Sequence, residues 1–318
     1  MDEFISGLNE VILKYITNSE VYDISELSPI ECMSNIILSS KCPCFNDKIK
    51  NRFGLSKSLE LSYEFFNFLS NDYGKYFLDR IGSDSIIYAY DPKGRETATS
   101  FHENGEKMIY FPYCENICDS FTITHEMFHD MNLDINNINS VRDLFTEYIS
   151  IFGEMLFDGF ISSNYDIKCC FNNRYTFNSC YLKAIKVDFY INLVKCFLDN
   201  GYIYRFHLYD IIDRFNPYYQ NYLLGLIDKF ISDGSFPIIY EYRYLLGILL
   251  SCYSKDLMRD GKFSIELFQY INENINFIDY DDLYSILSLD VYDDYTLLLS
   301  NESYDKLCKS YRKNMGSI

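Results

Sequence analysis

His125 and His129 stand four residues apart, with Glu126 directly after the first, in Asp119-Ser-Phe-Thr-Ile-Thr-His125-Glu126-Met-Phe-His129-Asp130. On a helix this spacing sets both imidazoles on one face, one turn apart, where both can reach one ion. Such a pair, completed by one further protein ligand, suits Zn2+, so one zinc per chain is the expected cofactor. Glu126 is placed beside the ion and not on it. A carboxylate there can take the proton of an attacking water and pass it to a leaving amine while the metal polarises the carbonyl. The implied chemistry is metal-assisted peptide hydrolysis with Glu126 as general base. Phe121, Ile123, Met127, Phe128 and Leu133 predict a buried helix that limits water at the ion.

A third ligand must come from elsewhere. The pattern that adds a glycine and a third histidine after the second does not apply, because Asn132 and Ile135 hold those positions. A carboxylate is therefore expected. Val141-Arg-Asp-Leu-Phe-Thr-Glu147-Tyr-Ile-Ser-Ile-Phe-Gly-Glu154 predicts a second helix, able to fold back antiparallel to the first. Glu147 sits among Phe145, Ile149, Ile151 and Phe152, where an unpaired carboxylate is costly. The competing ligands are Asp130, beside His129 but pointing elsewhere, and Asp143, one turn before Glu147. Glu154 lies two turns beyond Glu147 and can hydrogen-bond a ligand imidazole.

The elements that must position these residues follow from periodicity. Helices are predicted over Asp2–Ile16, Pro29–Ser40 and Ser56–Ile81, the last broken near Asp72-Tyr-Gly74, with a loop from Ser39 to Gly54. Three extended runs come next: 86–90, 97–101 and 107–111. The turns Asp91-Pro-Lys-Gly94 and Glu103-Asn-Gly105 join them into a small antiparallel sheet flanking the cleft, whose exposed strand can pair with a peptide backbone or simply prop the metal helix. From Asp119 onward the pattern is helix after helix, with breaks at Gly201, Gly234 to Pro237 and Asp260-Gly261. The fold class expected is mainly α with a small β insert. One compact unit is expected, with residues 1–84 as an N-terminal helical segment and 85–318 as the catalytic domain.

Bulk composition narrows the partners. At 48% hydrophobic and 18% aromatic residues the chain can bury a full core, which excludes a disordered protein. A formal charge of −18 disfavours nucleic acid and anionic membrane surfaces and favours a neutral or basic peptide or unstructured protein segment. The acidic N-terminus lacks the pattern of a secretory signal and no apolar run is long enough to span a membrane, so a cytoplasmic protein is expected. Eleven scattered cysteines fit reduced thiols; Cys42-Pro-Cys44 and Cys114 with Cys118 lack the paired spacing of a structural zinc site.

Three motifs in order carry a resemblance. Asp119 to His129 resembles the zinc-helix motif D-x-F-x-x-x-H-E-x-G-H of the thimet oligopeptidase and oligoendopeptidase F family. Phe145-Thr-Glu147-Tyr-Ile-Ser150-Ile-Phe152-Gly-Glu154 is similar to its third-ligand helix, and Tyr240-Glu-Tyr242-Arg-Tyr244-Leu-Leu-Gly247 to its tyrosine-rich helix. The resemblance implies a helical zinc endopeptidase acting on short unstructured peptides. His125, His129 and Glu147 would bind zinc, and Tyr244 and Tyr240 would donate hydrogen bonds to the oxyanion, a role that a positioned phenol in a dry site can fill. Tyr240 and Tyr244 share one helix face; Tyr242 points roughly opposite.

The departures are specific. Phe128 replaces the glycine of the zinc helix and would change the packing of the sheet against it. Gly234 stands where a histidine is expected, leaving His102 or His207 as substitutes. Relatives are about twice as long, so the likeness spans about residues 85–260 and residues 1–84 would be a reduced lobe. The cleft would then be more open. The alternatives are a specialised protease that processes one protein or precursor peptide, and a catalytically silent peptide-binding module of the same fold.

Overall fold

In the computed structural model, apolar residues recurring at helical spacing pack helix on helix, beside a three-stranded and a two-stranded sheet. It describes residues 3–19, a few positions between 31 and 38, 53–94, 96–132, 140–165, 175–234, 238–275, 277–278, 280–289, 291–293, 298–299 and 301–315. Helix α1 (Glu3–Ser19) is followed by α2 (Leu55–Leu69) and α3 (Asn71–Ile81), then strands β1 (Ile86–Tyr90), β2 (Thr99–Glu103) and β3 (Glu106–Tyr113). The metal-motif helix α4 (Cys118–Asn132) and the Glu147 helix α5 (Ser140–Tyr165) come next. Then follow α6 (Tyr175–Asn200), α7 (Arg205–Ile212), α8 (Pro217–Asp233), α9 (Ile238–Arg259), α10 (Ile265–Asn274) and α11 (Tyr280–Ile286). Short strands β4 (Val291–Asp293) and β5 (Leu298–Leu299) precede α12 (Asn301–Met315).

The mainly helical class is observed. Several expected boundaries move for local reasons. The break between α2 and α3 falls at Ser70, not near Gly74, because the extended Ser70 backbone ends one helix while its hydroxyl accepts from Tyr73 N–H at 3.1 Å to start the next. Gly74 instead permits close approach to Asn67. The breaks at Gly201, Gly234 and Gly261 are observed, each with positive φ. Strands β4 and β5 correct the expectation of uninterrupted helix to the C-terminus. Most of the expected Pro29–Ser40 helix and most of the Ser39–Gly54 loop, including Cys42 and Cys44, lie outside the described residues.

The sheet is mixed rather than antiparallel. Its order is β1-β3-β2, with β1 parallel and β2 antiparallel to β3. The Asn104-Gly105 turn, both residues at positive φ, closes a tight hairpin that locks β2 onto one edge of β3. The Asp91 carboxylate accepts from Lys93 and Glu96 N–H, a turn that sends the chain across the sheet, so β1 takes the opposite edge of β3. β2 is an edge strand and packs against α4.

One contiguous core joins residues on both sides of position 84, from Leu8 and Phe65 to Leu249 and Tyr311. Helix α5 lies between α4 and α9. Gly247 brings α9 onto α5: a Cβ there would lie 3.1 Å from the main chain at Glu147 and Tyr148. Ser251 and Ser254 continue this narrow face, Ser251 Oγ reaching Tyr148 O at 3.3 Å and Ser254 Oγ lying 2.8 Å from Tyr148 Oη.

Phe128 fills space beside α4, packing on α5 and the helical core. Its ring lies over Gly153, where a Cβ would fall 2.1 Å from Cε2, and against Phe66 and Phe268 at centroid distances of 5.0 and 5.5 Å. The glycine missing from α4 is thus matched by one on α5. Gly153→Ala should cost about 1–3 kcal/mol by overpacking. Chemical denaturation should show that cost shrinking in a Phe128→Ala background, and an equal loss in both backgrounds would refute the contact.

Candidate metal centre

Helix α4 starts where its sequence allows. Asn116 Oδ1 accepts from Cys118 N–H at 2.7 Å, and the Asp119 carboxylate accepts from the N–H groups of Cys114 and Asn116. These bonds satisfy exposed donors at the turn, and the carboxylate favours the positive helix end. Burial and the nearby Asp119 charge push the Cys114 thiol up to about 12, so it stays protonated and is a poor metal ligand.

Further along α4, His125 Nε2 and His129 Nε2 lie 2.9 Å apart. Glu147 Oε2, from α5, lies 3.5 Å from the first and 3.6 Å from the second. A tetrahedral ion with bonds of about 2.0–2.2 Å holds its ligand atoms about 3.3 Å apart, and these separations bracket that value. Among the described residues these three side chains form the one cluster able to hold a metal ion. Glu147 Oε2 is buried without a hydrogen-bond partner, an orphaned acceptor of the kind a cation satisfies. The donor set therefore fits zinc.

Glu154, two turns after Glu147, lies behind His125: Nδ1 and Oε1 are 2.5 Å apart. With Nδ1 engaged by Glu154, the ring turns its Nε2 toward the cluster. His125 pairs with Glu154, and His129 with Glu147, so the pairing runs in opposite senses along α4 and α5, as an antiparallel pair requires. Burial alone would lower the His125 pKa, but the nearby Glu147 and Glu154 carboxylates outweigh that and hold it well above the ordinary range. Burial likewise would raise Glu147, yet His129 and His125 hold it well below the usual carboxylate range. Glu154 is raised, chiefly by burial.

Glu126 is 6% exposed and accepts from Ser100 Oγ at 2.9 Å through Oε2. Asp130 is excluded as a ligand: it is fully buried and gripped by Arg80 Nε and Nη2 at 2.7 Å each and by Tyr76 Oη at 2.7 Å. Asp143 lies on α5, with its side chain outside the described residues.

On α9, Arg243 reaches the ligands, with Nε 3.4 Å from Glu147 Oε1. Tyr244 lies beside it, its ring under the Lys183 ammonium at 3.3 Å from the centroid and 5.5 Å from the Arg243 guanidinium. Tyr242 is buried and its hydroxyl pKa is raised by that burial. The Tyr240 side chain lies outside the described residues. His207 is committed to the start of α7, where Nδ1 accepts from Tyr204 N–H at 3.4 Å. His102 lies on β2 two residues beyond Ser100, hence on the same strand face, with a buried Nε2.

Ser100 and Arg243 were missed by reading the sequence. Arg243 had a signal: it precedes Gly247 by one helical turn, and Gly247 marks the face of α9 that touches α5. Ser100 had none, because its contact depends on how the sheet docks. No protein-family model, curated protein or solved structure matches this chain. No helix of the described residues is long and apolar enough to cross a membrane.

The chain should bind one equivalent of zinc in a chelator-competition titration, with His125→Ala, His129→Ala and Glu147→Ala each abolishing tight binding. Glu154→Gln should weaken it about ten- to a hundredfold. Unchanged affinity in His129→Ala would exclude the site.

Proposed function

We propose that this chain is a zinc metallopeptidase that hydrolyses oligopeptides or unstructured protein segments, of the thimet oligopeptidase and oligoendopeptidase F type. The observation that carries the reading is the convergence of His125, His129 and Glu147, with Glu126 following His125 in the chain and its carboxylate engaged by Ser100 instead of joining them. A structural zinc site closes with four protein ligands and has no use for such a carboxylate. Both imidazoles keep partial exposure, at 14% and 17%, so substrate and water can approach from that side.

Bound zinc supplies Lewis acidity, lowering the pKa of water toward about 7 and polarising the scissile carbonyl. Glu126 takes the proton of the attacking water and delivers it to the leaving amine. Glu154 keeps His125 in the tautomer that offers Nε2. Tyr244, with Tyr240 one turn before it, donates to the oxyanion; support for this comes from Arg243, whose reach to Glu147 brings their helix to the ligand set. The substrate is a peptide, with neither nucleic acid nor membrane involved.

Glu126→Gln should retain one zinc per chain and lose cleavage of a mixed quenched-peptide library by a factor of at least about a hundred. Elemental analysis and the library assay decide it together. Cleavage of one folded protein or precursor but no random peptide would select the specialised protease. Equal inertness of wild type and mutant on peptides and candidate proteins would select the binding module.

A further inference from the structure

The mechanism asks one carboxylate to face an attacking water at a fixed angle. The terminal torsion of a glutamate has a broad, nearly two-fold well, so an unsupported Glu126 carboxylate would turn easily. Its partner comes from the sheet. Ser100 Oγ lies 2.9 Å from Glu126 Oε2 and 2.9 Å from Glu126 O. A hydroxyl carries one proton, and an ionised carboxylate attracts it more strongly than a carbonyl does.

We propose that Ser100 is a positioning residue for Glu126: its hydroxyl anchors Oε2, leaving Oε1 to receive the proton of the attacking water. The inference rests on the peptidase reading. Its support is the placement of Ser100 on β2, the strand that is paired to β3 on one side and packs on α4. A group fixed by strand pairing loses little further freedom when it holds the carboxylate, which makes it a better anchor than a loop serine. An extended peptide pairing with the open edge of β2 would bear on this same strand. Peptide binding and orientation of the base would then share one element.

The test compares Ser100→Ala and Ser100→Thr in the zinc-loaded protein. Ser100→Ala should lower kcat about ten- to a hundredfold, the worth of one charge-assisted hydrogen bond, with KM within about twofold and zinc content unchanged. Ser100→Thr, which keeps the hydroxyl, should retain most of kcat. In a Glu126→Gln background, Ser100→Ala should cause little further loss. A metal-free readout runs in parallel: the melting-temperature losses of Ser100→Ala and Glu126→Ala should be less than additive, because either change removes the same bond. Additive losses, an unchanged kcat in Ser100→Ala, or a rise in KM alone would overturn the proposal. If wild type cleaves nothing, the peptidase reading falls and takes the catalytic role with it, while the melting cycle still decides whether Ser100 holds Glu126.

Discussion

Two imidazole nitrogens and a carboxylate oxygen meet within 3.6 Å, the carboxylate buried and the imidazoles only partly exposed. Lone pairs so placed repel one another unless a cation or a proton sits among them. Two of the three groups are nevertheless fixed from behind. Glu154 bonds His125, Arg243 faces the outer oxygen of Glu147, and Gly247 lets α9 come close enough for Arg243 to arrive there. The cluster is thus held against its own repulsion by contacts from α5 and α9, which is the condition a binding site for a cation must meet and a hydrophobic core need not.

Such a cluster tolerates little rotation of α4, and apolar packing alone would not prevent it. Hydrogen bonds define the angle. Thr124 Oγ1 lies 3.2 Å from Ser62 Oγ, Asn132 donates to Asn272 Oδ1 at 2.9 Å, and Asn272 donates to Tyr73 Oη at 2.8 Å. On another face Asp130 accepts from Arg80 Nη2 and lies 2.7 Å from its Nε in an ion pair, while Lys107 Nζ donates to Asp130 O near the helix end. Each buried polar group is costly if left unpaired, so a turned helix would lose several bonds at once. These contacts reach α4 from α2, α3, α10 and β3. The N-terminal helices are in this sense part of the support of the His125, His129 and Glu147 cluster.

What could be read from the sequence was what depends on spacing along one element. His125, His129 and Glu126 lie within one helical turn, and Glu147 and Glu154 within two turns of another, so their shared faces follow from helix geometry. The hairpin at Asn104-Gly105 was legible for the same reason. What escaped depends on how elements meet. The parallel pairing of β1 follows from a turn at Asp91 whose direction no local pattern encodes. The seat of Phe128 escaped too, because the space it enters is made by Gly153, 25 residues later on a different helix. Ser100 reaches Glu126 only because β2, and not β1, flanks α4.

The charge at the site also differs in kind from the charge of the chain. A formal −18 describes a surface whose carboxylates act over about 8 Å at physiological salt. Arg243 on α9 faces Glu147 at 3.4 Å, and Lys183 and Lys186 on α6 reach Glu241, two residues before Arg243, at 3.3 and 2.7 Å. All three are largely shielded from solvent, so they are screened less than the surface groups are. On the proposed peptidase reading, Arg243 and the ion would set the field beside the ligands, while the net charge would act earlier, on approach. Selectivity in encounter and selectivity at the scissile bond would then be decided by different residues.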